Sequence, residues 1–129
     1  MEKLVEWVNA FNTIAKNENN FHSFSIEKGE DFVDAVFTIE DVSREGECRV
    51  GNFAMATLAL RGGAASMEMA SGTYKKCPTP AGYSAEYSRQ AVEKFDLGND
   101  PELISFIKSM KNEGDFIALL EAVLQTLAR

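Results

Sequence analysis

A single histidine, a single tryptophan, two cysteines and three prolines are all that the 129 residues hold of these four types, and each scarcity closes off some chemistry. With His22 alone, neither a two-histidine structural zinc site nor the usual histidine-rich catalytic zinc site can be built. Cys48 and Cys77 lack a CxxC spacing and stand in a chain without a secretory pattern, so they read as reduced thiols rather than a disulfide framework. Long apolar runs are missing as well. The longest, Phe53 to Leu60, stops at Arg61 and two glycines, well short of the roughly 20 residues that span a bilayer. The N-terminal stretch is charged and amphipathic, not basic and then apolar as a secretory signal would be. These features predict a cytoplasmic chain with no membrane partner.

Basic residues are also under-represented: 13 Lys and Arg stand against 20 Asp and Glu, a net charge of -7. Such a chain repels a phosphate backbone, which makes nucleic acid an unfavoured partner. No P-loop, GxGxxG, GxSxG or EF-hand spacing occurs, and no cofactor or metal is expected.

What is present is ordinary globular composition, 45% hydrophobic and 26% charged, without an internal repeat or linker. Residues 1–129 therefore read as one domain with one core. Leu4, Trp7, Val8, Phe11, Ile14 and Ala15 repeat with helical period, giving an N-terminal amphipathic helix. Strands are expected over 21–28 and 32–39, the second from Val33, Ala35, Phe37 and Ile39 at period two. Over 52–71, a Gly62-Gly63 turn pairs Leu60 with Ala65, Leu58 with Met67 and Ala56 with Met69, an internally consistent hairpin register; two short helices are the rival reading. Lys75 to Gly82 reads as a surface loop because of its prolines and glycine. Ser84 to Leu97 reads as a helix, with Tyr87, Ala91 and Phe95 one turn apart. Asp100-Pro101 opens a helix carrying Leu103, Phe106, Ile107 and Met110. Asp115 caps a last one with Phe116, Leu119, Leu120, Val123, Leu124 and Leu127 on one face. The predicted fold is α+β: an N-terminal helix, an antiparallel sheet of about four strands, then C-terminal helices including a helical hairpin.

The chain's main electrostatic feature is local. Residues 31–49 hold six acids, Asp31, Asp34, Glu40, Asp41, Glu45 and Glu47, against two bases. A solvated surface explains them at the simplest level; as a docking face they would draw a protein with a basic surface. His22, Arg61, Tyr74 and Tyr87 are the polar groups that could line an alternative ligand pocket between sheet and helices. The expectation from sequence is a non-enzymatic interaction module (an inhibitor, immunity factor, adaptor or small chaperone), able to meet a protein partner or a second copy of itself. The alternative is a small-molecule binding protein or an unusual enzyme.

Overall fold

The computed structural model describes residues 2–127. Helix α1 (Glu2–Lys16) leads into strands β1 (Asn20–Lys28), β2 (Phe32–Asp41), β3 (Ser43–Glu45), β4 (Cys48–Arg61), β5 (Ala64–Thr79) and β6 (Gly82–Gly98). Helices α2 (Pro101–Ser109) and α3 (Glu113–Leu127) follow. The strands form one antiparallel sheet in the order β1-β2-β4-β5-β6, with β3 lying beside β4. The α+β class and the helix–sheet–helices order match the expectation, but the sheet has six strands rather than about four.

Strand alternation divides the residues between two unlike faces. Val33, Ala35, Phe37 and Ile39 of β2, Ala54, Ala56, Leu58 and Leu60 of β4, and Ala65, Met67 and Met69 of β5 all point to one face. There they are buried with Leu4, Trp7 and Ile14 of α1, Ile107 of α2, and Phe116, Leu119, Leu120 and Val123 of α3. Every helix thus covers the same face, and the Trp7 indole N–H is satisfied by the Met55 carbonyl at 3.0 Å. On the other face, Phe53, Met55, Ala70, Tyr74 and Val92 form a smaller cluster to which no helix contributes among the described residues.

The 52–71 stretch is the hairpin, in the predicted register, with Leu60 opposite Ala65, Leu58 opposite Met67 and Ala56 opposite Met69. Gly62 and Gly63 both have positive φ, 56° and 78°, the two-residue turn whose twist matches the strands and which glycine enters without steric cost.

Residues 84–97 are strand, not helix. Spacings of four are even, so Tyr87, Ala91 and Phe95 suit a strand face as well as a helix face. A bulge then separates them: Ala91 lies opposite Ser71 and Arg89 opposite Gly72, leaving Gln90 as the extra residue. An inserted residue reverses the alternation beyond it. Phe95 accordingly packs on the helix-side core, whereas Tyr87 meets Phe53 on the helix-free face. The expected loop over 75–82 is also paired, out to Thr79 opposite Gly82. Beyond Lys76, β5 has β6 on one side only, and there Pro78 is tolerated because no second ladder needs its missing N–H.

The reading of Cys48 and Cys77 as reduced thiols is corrected: they form a disulfide, with Cα atoms 4.3 Å apart. Arg49 lies opposite Lys76, so the next positions outward face each other across the two strands. Disulfides persist chiefly in oxidising compartments, and the cysteines no longer speak for a cytoplasmic chain. No helix among the described residues is long and apolar enough to cross a membrane.

At the C-terminal end Asp100 caps α2 as expected, its carboxylate accepting from the Leu103 N–H at 3.2 Å. The cap of α3 is Asn112 rather than Asp115, since its side-chain oxygen accepts from the Asp115 N–H at 2.9 Å. The stripe Phe116, Leu119, Leu120 and Val123 is buried.

Candidate functional site

The six acids do not share one face. Asp31 is exposed in the β1–β2 turn, and Asp34 pairs with Arg61 at 2.6 Å. Along β2, Glu40 lies six positions beyond Asp34, about 20 Å of strand. At that other end Glu45 pairs with Lys75 at 3.2 Å, Glu47 is exposed in the β3–β4 turn, and Glu40 and Asp41 are buried. The four alternative pocket residues are likewise dispersed. His22 lies on the helix side, edge-on to Phe37 and 3.8 Å from Glu113, and Arg61 sits at the far end of the sheet over the Phe32 ring. Only Tyr74 and Tyr87 come together, stacked at 5.9 Å. A cleft of about 380 Å³ does lie between α1 and the sheet, but Glu6, Asn9, Thr13, Asn52, Ser71 and Gln90 supply its polar lining.

Among the described residues, the densest concentration of charge and aromatic rings is built around Glu40, on the helix-free face. Only 2% of Glu40 is exposed. Its carboxylate accepts from Arg49 Nη2 at 2.9 Å, from Lys76 Nζ at 3.1 Å and from the Tyr87 hydroxyl at 2.5 Å. These donors come from β4, β5 and β6, and their register delivers them to one point: Arg49 is opposite Lys76, and Tyr74 is opposite Tyr87. Aromatic rings form the rest of the cluster. The Arg49 guanidinium lies 5.3 Å from the Phe21 ring centre and 5.8 Å from that of Tyr74, and the Lys76 ammonium is 5.6 Å from both tyrosine rings. A cation over a ring face gains from the ring quadrupole, more so when partly desolvated.

Asp41 has a different task. Its carboxylate accepts from the Asn52 backbone N–H at 2.7 Å and from the Asn52 side-chain amide at 3.1 Å, while its carbonyl accepts from the Tyr74 hydroxyl at 2.6 Å. It closes the gap where β2 ends and β3 begins along β4. Gly51 is required there, because a Cβ at that position would stand 2.1 Å from Asp41 Oδ1 and 2.5 Å from its carbonyl oxygen. Asp41 is therefore a framework residue that also fixes the Tyr74 ring.

Burial, then the hydrogen bond and negative charge of Glu40, push the Tyr87 hydroxyl well above the ordinary tyrosine range. Burial and the nearby Glu40 charge raise Tyr74 as well. Both are neutral donors at any physiological pH. A pKa raised in the folded state means stability that is full below the unfolded value, near 10.0, and lost as pH climbs through the folded value. Alkaline titration followed by phenolate absorbance should show late-ionising tyrosine, and Tyr87→Phe should remove part of that late amplitude. A titration without any late component would mean that the cluster does not form in solution.

Phe21, Arg44, Arg49 and Lys76 were not among the site residues predicted from sequence. One signal for them was available: Cys48-Arg49 and Lys76-Cys77 are mirror-ordered dipeptides, as two antiparallel strands joined by a disulfide would carry. No protein-family model matches the chain, and no curated protein is found similar to it.

Proposed function

We propose that this chain is a non-enzymatic protein-interaction module, of the kind an inhibitor, immunity factor, adaptor or small chaperone uses. On this reading the partner docks on the helix-free face, at the end where β1, the β3–β4 turn and the β5–β6 hairpin meet. The observation that carries it is the placement of exposed apolar rings. Among the described residues five large hydrophobic side chains are exposed, and three of them gather at this end: Phe21 at 48%, Tyr83 at 70% and Tyr87 at 39%. Aromatic side chains beside arginine are the composition that distinguishes interface centres from ordinary surface. A sheet face that no helix covers leaves such rings open to a partner.

A partner with a basic surface, expected from the acidic turns, would engage the acids that remain outside the cluster: Asp31 and Asp34 at one end, Glu45 and Glu47 at the other. Their role would be to steer the encounter, since exposed charges act more on association rate than on final affinity. A photo-crosslinking residue at Tyr83 should trap a discrete protein in the source cells, while the same residue at Phe106, exposed on α2, should not. Equal trapping at both positions, or trapping at Phe106 alone, would move the interface away from this face.

A further inference from the structure

Arg44, Arg49 and Lys76 occupy directly opposed positions on three neighbouring strands, Arg44 across from Arg49 and Arg49 across from Lys76. Like charges directly opposed in a sheet are destabilising, and strands about 4.8 Å apart confine this row to roughly 10 Å. Glu40 offsets only part of it. Among the groups that line or back the adjoining depression, three are positive (Arg44, Arg49, Lys76) and two negative (Glu40, Glu47), which leaves one positive charge over. Arg49 also keeps its Nε–H buried without a hydrogen-bond partner, although native proteins satisfy nearly all such donors. The depression measures about 380 Å³ and has Phe21, Tyr83 and Pro78 as its apolar walls. That volume lies at the small end of ligand pockets, enough for two or three side chains.

We infer that this depression binds an acidic peptide segment of the partner, with one aspartate or glutamate carboxylate set against the Arg44–Arg49–Lys76 row and an apolar neighbour between Phe21 and Tyr83. This inference rests on the interaction reading and names the chemistry of its contact. A single surplus positive charge matches a monoanionic carboxylate. A polyanion would face repulsion from a chain carrying a net charge of -7. The carboxylate would relieve repulsion already present in the free protein, so binding should weaken steeply with salt only in its exposed, Arg44-dependent part.

The test uses the full chain and four probes: a capped short peptide with a single aspartate next to a leucine, its lysine-for-aspartate counterpart, acetate and inorganic phosphate. The reporter is the Arg49 Nε–H resonance, assigned by its disappearance in Arg49→Lys. The expected result is a saturable shift with the acidic peptide alone, weakened roughly tenfold by Arg44→Gln or by Tyr83→Ala. Both side chains are exposed and outside the Glu40 hydrogen bonds, so unchanged melting of these variants separates lost binding from lost fold. Absence of any shift with the acidic peptide, or an equal response to the lysine peptide, overturns the inference. Equally tight binding of acetate or phosphate also overturns it, and assigns the site to a free anion. Trapping at Tyr83 without acidic-peptide binding would leave the interaction reading standing and remove only this inference; loss of the trapping as well would remove both.

Discussion

Reducing the Cys48–Cys77 bond, or replacing both cysteines with alanine, should lower the melting temperature by on the order of 10 °C. The bond joins positions 29 apart in sequence, and closing a loop of that length removes about 3–4 kcal/mol of unfolded-chain entropy in the loop-closure model. In a chain of this size each kcal/mol shifts the midpoint by roughly 3–5 °C. The loss should fall on one corner of the sheet. Cys48 precedes Arg49 and Cys77 follows Lys76, so the bond clamps β4 to β5 beside the two cations that hold Glu40. Hydrogen exchange should therefore accelerate first in the β3–β4 and β5–β6 turns. A melting curve that does not move on reduction would revive the reduced-thiol reading of the sequence.

Glu40→Ala should destabilise by about 3 kcal/mol, measured by chemical denaturation. Breaking a buried ion pair strands the remaining charge, at a typical cost of 3–5 kcal/mol. The lower figure applies because Arg49 and Lys76 keep 26% and 18% of their side-chain surface exposed and can recover some hydration. Glu40→Gln retains an acceptor for the Tyr87 hydroxyl and should cost less. The double variant Glu40→Gln, Lys76→Met removes a cation along with the anion and should recover part of the loss, as coupled neighbours do. If Glu40→Ala stayed within about 0.5 kcal/mol of the parent chain, it would behave as a surface substitution, and the cluster would have no structural weight.

Leu4, Trp7 and Ile14 in α1 and Phe116 to Val123 in α3 repeat with a period that only a helix satisfies, and those elements were legible in the sequence. Gly62-Gly63 was legible because three apolar pairs agree on a single register. Tyr87, Ala91 and Phe95 misled because an interval of four is shared by helix and strand, and a bulge at Gln90 leaves no periodic trace. Glu40 was legible only as an acid among acids. Its position in β2 alternates away from the core, and its burial comes from Arg49, Lys76 and Tyr87, which lie 9, 36 and 47 residues further along the chain. A local charge count cannot see such partners; the cross-strand register can.

The strand order also bears on how quickly the molecule assembles. Each strand lies beside its predecessor in sequence, apart from the short β3, which only prolongs the β2 side of β4. Every pairing thus closes a short loop, and the entropic cost of closure rises only with the logarithm of loop length. The sheet can zip together hairpin by hairpin. Its cover cannot, because Trp7 and Phe116 arrive from opposite ends of the chain to share one core. Until both helices dock, Phe37, Leu58 and Met67 face water, and that interval is when aggregation competes with folding.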